Sequence, residues 1–223
     1  MLIEEAKWLG EKLYNLGNEH FPMINIGSST SVFRTQIQPH IDEYIFKRLI
    51  KQGKKVFHAD IKEAEGVDLV GDVNDEKFIS QVKNLQIKSV FSSNLLEHLI
   101  SPQMVCRHLE DMLDSGGILM VSVPHLYPYH RDPIDTKFRP SINELCSLFP
   151  NCTLLDGEII TSADTHAKAL WKKIRQGNFL SVAITVKRWL LPLRGMEEWQ
   201  KARGDMLNLF KPYKITCVVL KKN

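Results

Sequence analysis

Between residues 22 and 123 the chain alternates short apolar runs with segments of helical period, and this alternation constrains the fold more than any other feature. The runs are 22–26, 55–59, 67–70, 89–93 and 118–123. None shows the polar–apolar alternation of a half-exposed strand, so they read as strands buried on both faces. Between them, 40–51 places Ile41, Tyr44, Ile45, Arg48 and Leu49 on one helical stripe, with Gly53 to end it. Segments 75–82 and 102–113 also read as helices, the latter closed by Gly116 and Gly117. Strand–helix alternation of this kind predicts an α/β fold with a doubly wound parallel sheet and helices on both faces. An N-terminal helix is expected over 3–16, and Pro124 is expected to stop the fifth strand. Beyond it, 141–148 reads as a helix. Segments 154–161 and 214–220 read as two closing strands able to pair antiparallel.

In an open α/β sheet the ligand lies beyond the carboxyl ends of the strands. Four loops converge there. The first, Gly27-Ser28-Ser29-Thr30, follows strand 22–26 and offers backbone N–H groups to a carboxylate or phosphate. The usual Gly-x-Gly-x-x-Gly is missing, which argues against a dinucleotide. Asp60 ends the second strand, where a carboxylate can accept from both ribose hydroxyls, or simply close a turn. Asp72 and Val73 follow the third run, in a stretch that also reads as a surface turn. Asn94, Glu97 and His98 follow the fourth, near the switch point of the sheet; the Glu also reads as a helix cap.

Ile24-Asn25-Ile26-Gly27-Ser28, Asp60, Asp68 to Asp72 and Ser93 to His98 resemble class I S-adenosylmethionine-dependent methyltransferases, and Leu113 to Pro124 resembles their fifth-strand signature. The likeness covers about residues 22 to 150. It implies a Rossmann-like, seven-stranded, mostly parallel sheet with an antiparallel last strand, and S-adenosyl-L-methionine as cofactor. It places Asn25, Gly27 and Ser28 at the methionine end of that cofactor, Asp60 at the ribose, Asp72 and Val73 at the adenine, and Asn94 at the cleft. Asn25 stands where that family usually has an acid, and Ser29 where a second Gly is common. This departure keeps open a second reading, a non-catalytic binding module of the same fold.

The loop after the fifth strand, Pro124 to Ser141, carries Pro-Tyr-His-x-x-Pro-x-Asp-x-x-x-Arg. This pattern resembles a methyltransferase subgroup associated with bacterial surface-polysaccharide biosynthesis, which implies O-methylation of a sugar or glycoconjugate. A sugar hydroxyl is a poor nucleophile until its proton is taken, and His is the natural base near neutral pH. His130, with Asp132 or Asp135, and His98 are the candidate catalytic residues; His130 reads equally as a staple of its own loop. His125, Tyr129 and Arg139 are candidate acceptor-binding residues, Arg139 for an anionic group such as a phosphate or uronate.

A single domain of 223 residues is expected, with 1–20 as an N-terminal helix, 22–164 and 212–223 as core, and 165–211 as a helical insertion. In the insertion Phe179, Val182, Ala183, Val186, Leu190 and Leu193 share a stripe bordered by Lys172, Lys173, Arg175, Lys187, Arg188 and Arg194, with Pro192 to end it. Such a stripe suits a lid or dimer face packed on the domain, or peripheral contact with a membrane carrying a lipid-linked acceptor. The net charge of +3 gives no footprint for nucleic acid. Cys106, Cys146, Cys152 and Cys217 have neither C-x-x-C nor zinc-type spacing, so reduced thiols, no metal and a cytoplasmic location are expected.

Overall fold

A computed structural model describes residues 1–130, 134–192 and 196–223, apart from the side chains of Glu197, Glu198 and Lys201. Asp132, Leu193 and Arg194 lie outside the described residues.

One seven-stranded sheet organises the chain: β1 Met23–Ile26, β2 Val56–Asp60, β3 Leu69–Val70, β4 Ser89–Ser93, β5 Ile118–Leu126, β6 Cys152–Thr165 and β7 Pro212–Lys222. Their order is β3-β2-β1-β4-β5-β7-β6. β1 to β5 pair in parallel, and β7 enters antiparallel between β5 and β6. This is the expected Rossmann-like fold class.

Successive strand residues point to opposite faces, and both faces are covered. Ile24, Ile26, Val90, Leu119 and Val121 face one core, whereas Met23, Phe91, Ile118 and Met120 face the other. That division explains the continuous apolar runs. The second core is closed by α1, Ile3–Tyr14, through Ala6, Leu9 and Leu13, and by the helical stretch of α2, Pro39–Ile41, and α3, Lys47–Lys51, joined by a π turn at Asp42–Phe46. The first core packs on α4, Glu76–Lys83, and α5, Pro102–Asp111. Asp75 caps α4 by accepting from the Lys77 N–H at 2.9 Å. A Ser141–Glu144 capping box starts α6, Ile142–Cys146.

Pro124 does not stop β5. The strand runs on to Leu126, with Pro124 opposite Ile215 of β7. Ile118 N–H and the Ser122 carbonyl bond toward the β4 side, so Pro124, of the same parity, turns its missing donor to that side. β4 pairs only as far as Ser122, so the proline removes no ladder bond.

The insertion forms three helices, α7 His166–Arg175, α8 Phe179–Leu190 and α9 Met196–Leu207. It leaves β6 and returns to β7 at the end of the sheet where β5 finishes, since Leu126 pairs with Lys214 and Thr165 with Pro212. The antiparallel turn of the last strands therefore hangs the insertion beside the carboxyl ends of the parallel ones.

Candidate active site

The order in which strands are added reverses between the parallel neighbours β1 and β4: β2 and β3 lie to one side, and β5 to the other. The crevice that opens there is a cleft of about 600 Å³, walled by Gly27, Ser28 and Ser29 after β1, Asp60 and Ile61 after β2, and Asn94 to Leu99 after β4. Glu5 of α1, Arg34, Tyr127 and His130 complete it.

The loop after β1 is held open by its neighbours. Gly27 has φ +72°, and a Cβ there would stand 3.2 Å from Leu95 Cδ1. Ser29 adopts φ +54° although it is not Gly. Its N–H donates to Asp60 at 2.7 Å. The buried Arg34 guanidinium donates to the carbonyls of Ser28 at 2.9 Å, Ser29 at 2.6 Å and Gly66 at 2.7 Å. These bonds hold in place a conformation that costs a non-Gly residue about 1–2 kcal/mol. The arrangement corrects one expectation. The Ser28 N–H is taken by the Ala59 carbonyl and the Ser29 N–H by Asp60, so neither is offered to a ligand carboxylate.

Asp60 accepts one backbone N–H on each oxygen, from Ser29 and from Lys62 at 3.0 Å. A carboxylate has about four acceptor positions, so capacity for ligand hydroxyls remains. Asn25 is buried, and its amide meets His58 Nδ1 at 3.1 Å. Burial, with the Arg34 charge, pushes His58 down to about 4 against the pull of Asp68. A neutral amide therefore faces a neutral ring where an acid is usual.

Asn94 stands in the left-handed region at φ +51°, and its amide donates to Glu5 at 2.8 Å. Glu5, fully buried, also accepts from Ser122 at 2.6 Å and from the Leu2 N–H at 2.9 Å. Glu5 and Arg34 escaped the sequence reading. One hides among the acids that open a helix, and the other falls in a stretch with no clear period.

Asp72 and Val73 are not among the cleft walls. Asp72 closes a turn by accepting the Asn74 N–H and side-chain amide, both at 2.8 Å. Val73 is buried in the core, and its carbonyl bonds the His108 ring at 2.8 Å. The short β3 ends in a turn leading directly into α4, which draws both residues back.

On the other side of the cleft, Glu97 and His98 meet His130. Glu97 is fully buried, neither of its carboxylate oxygens has a hydrogen-bond partner among the described residues, and burial pushes its carboxyl up to about 7. It is not the helix cap that the sequence also suggested. His98 Nε2 lies 3.7 Å from Glu97 Oε1, and the His98 and His130 rings meet edge to face at 5.1 Å. Asp135 accepts the His130 N–H at 3.0 Å, the Lys137 N–H at 2.8 Å and the Arg139 guanidinium at 2.7 Å. Burial opposes its charge, but His130 and Arg139 hold the carboxyl well below the usual range. Burial also opposes the charged form of His130; Asp135 and the Pro128 carbonyl outweigh it and shift the ring upward. His130 thus fastens its own loop and presents its ring to the cleft.

A second cavity of about 340 Å³ lies where the His130 loop meets the insertion. His125, Tyr127, Lys137, Arg139, His166 and Lys211 are among its walls. Tyr127 borders both cavities. Tyr129 borders neither: it is buried, its N–H donates to Asp205 at 2.9 Å, and Lys137 and Arg188 lie over its ring. The expected acceptor-binding tyrosine is a brace for the insertion, and Tyr127 has the position foreseen for it.

Solved structures share this architecture. One assigned as a sarcosine dimethylglycine methyltransferase from Galdieria sulphuraria aligns over 98% of this chain and 84% of its own, at TM-score 0.60 and 12% identity. A coclaurine N-methyltransferase bound to N-methylheliamine and SAH aligns over 99% and 70%, at TM-score 0.57 and 12% identity. The [4+2]-cyclase SpnF aligns over 98% and 80%, at TM-score 0.53 and 12% identity. The chain therefore has the fold of class I methyltransferases, a fold that also serves other chemistry. No family model and no curated protein matches it.

Proposed function

We propose that the protein is an S-adenosylmethionine-dependent methyltransferase acting on an oxygen of an anionic sugar or glycoconjugate, of the kind used in surface-polysaccharide assembly. The observation that carries this reading is the pair of cavities that share Tyr127, one walled by Gly27, Asp60 and Asn94, the other by three cationic side chains and Asp205.

The first cavity fits the cofactor. Gly27 brings bare backbone to the cleft, Asp60 retains acceptor capacity for ribose hydroxyls, and Ile61, Leu95 and Leu99 add apolar wall. When bound there, S-adenosylmethionine supplies an electrophilic methyl group on a sulfonium. Gly27, Asp60 and Asn94 would hold it. Lys211, with Lys137 and Arg139 that also pair with Asp205 and Asp135, would give the second cavity its affinity for a phosphate or carboxylate on the acceptor. The acceptor hydroxyl would lose its proton beside Glu97, His98 and His130, where the cleft meets the His130 loop. Positioning two reactants in a cleft accounts for much of the acceleration such a reaction needs.

The insertion suits a lipid-linked acceptor. Phe179, Leu180, Ile184 and Leu190 are exposed on α8, and Lys172, Lys173, Arg175 and Lys187 lie on the same two helices. Exposed apolar side chains among cations match an anionic membrane surface. Among the described residues no helix is long and apolar enough to cross a membrane.

Calorimetry with S-adenosylhomocysteine tests the donor site. Micromolar binding that falls at least tenfold in Asp60→Ala is expected. No binding at millimolar ligand would favour the binding-module reading, which the occupied Ser28 and Ser29 N–H groups and the Asn25–His58 pair support.

A further inference from the structure

Fully buried carboxylates nearly always receive hydrogen bonds, because an unpaired one costs several kcal/mol. Glu97 is fully buried, and among the described residues neither oxygen receives one. Its backbone is nonetheless firmly placed: the Glu97 carbonyl accepts the Thr136 N–H at 2.9 Å and the Thr136 hydroxyl at 3.0 Å. The carboxylate lines the cleft together with His98 and His130. One ligand atom from each of the three residues lies within 4.8 Å of the others.

The two histidines are arranged alike. His98 Nδ1 meets the Ile134 carbonyl at 2.5 Å, and His130 Nδ1 meets the Pro128 carbonyl at 3.2 Å, with Asp135 3.4 Å away. An Nδ1–H donated to a carbonyl places the lone pair on Nε2 and fixes the ring's orientation; metal-binding histidines are commonly held in this way. Arg139 in turn pairs with Asp135.

We propose that Glu97, His98 and His130 form a binding site for one divalent transition-metal ion. Two imidazoles and a carboxylate favour ions of the Mn²⁺, Fe²⁺ and Zn²⁺ group over Mg²⁺ or Ca²⁺, which prefer all-oxygen ligands. Bonds of about 2.1 Å bring ligand atoms to within roughly 3–4 Å of one another, so the present spacing closes by small side-chain rotations. Three protein ligands leave positions facing the cleft for water or an acceptor oxygen. An acceptor hydroxyl bound there becomes more acidic, as metal-bound water does, and its proton passes to solvent. This last role rests on the methyltransferase reading; the site itself does not. Sequence spacing conceals the site, because its third ligand comes from a different loop and no cysteine takes part.

The test uses the full chain, stripped with a chelator and titrated with Co²⁺ alone. One equivalent is expected to bind with visible absorption from nitrogen and oxygen ligation. Binding should weaken at least tenfold in Glu97→Gln and in His130→Asn, and persist in His20→Gln. Zn²⁺ added to protein labelled with ¹⁵N-histidine should shift Nε2 of two histidines and leave the other six in place, a readout that needs no variant to fold. Absence of the Co²⁺ band, an unchanged band in both ligand variants, or no selective Nε2 shift would overturn the proposal. S-adenosylhomocysteine affinity, measured on the same samples, separates the two readings. S-adenosylhomocysteine binding without metal binding removes the ion and leaves the donor site, and metal binding without it does the reverse.

Discussion

Replacing Asn25 with Asp restores the acid usual at this position and tests the account of the Asn25–His58 pair. The amide meets His58 Nδ1 at 3.1 Å, and burial with the Arg34 charge holds the ring down to about 4. At about 4 Å and an effective dielectric of about 20, a new carboxylate attracts the charged ring by about 4 kcal/mol, or roughly 3 pKa units. Desolvation of the acid reduces this, so His58 in Asn25→Asp should titrate about 2 units or more above the wild-type midpoint. The sign of the stability change follows. In the wild type the unfolded chain binds more protons at His58 between the ordinary value of 6.5 and about 4, so stability falls as pH is lowered through that window. In the variant that loss is largely removed. Its deficit, expected to be about 1–3 kcal/mol at pH 8 from the buried charge, should therefore narrow by about 1 kcal/mol per pH unit, below the limit of about 1.4, between pH 6.5 and 5. NMR titration of labelled histidine and urea unfolding at each pH give both quantities. A His58 midpoint still near 4, or a deficit that widens on acidification, would refute the reasoning.

Ser29→Gly should relieve the left-handed strain of about 1–2 kcal/mol, less the entropy cost of about 0.5–1 for Gly, for a net gain of about 0.5–1 kcal/mol in urea unfolding. Asp135→Ala leaves the half-buried guanidinium of Arg139 without its buried carboxylate, and unfolding free energy should fall by about 2 kcal/mol or more; a change under about 1 kcal/mol would show that the bond is not formed. Vesicles containing anionic phosphatidylglycerol should retain the protein on sedimentation, and Leu180→Glu with Leu190→Glu should release it. Equal retention by zwitterionic vesicles, or a dimer in light scattering that these substitutions dissolve, would refute the charge-matched membrane surface.

The switch point shows how much of the site was legible beforehand. That Gly27, Asp60, Asn94 and His98 line one cleft was readable because strand ends can be found from apolar runs, and loops after parallel strands converge. Asp72 and Val73 were misplaced because run 67–70 forms only a two-residue β3, whose turn is drawn into the α4 cap. Tyr127 rather than Tyr129 borders the cavities because the orientation of a loop after a proline-containing strand depends on the strand continuing along β7.

By itself, the sequence determined the α/β class, the two-faced burial of the parallel strands and the helical insertion, since these follow from hydrophobic period and turn residues within short windows. Only the tertiary structure decided that Glu5 reaches Asn94 and Ser122, that Arg34 clamps the Gly27 loop, and that Glu97 and His98 meet His130. These contacts join residues far apart in the chain. Their geometry comes from sheet order and the packing of whole elements, which no local pattern records.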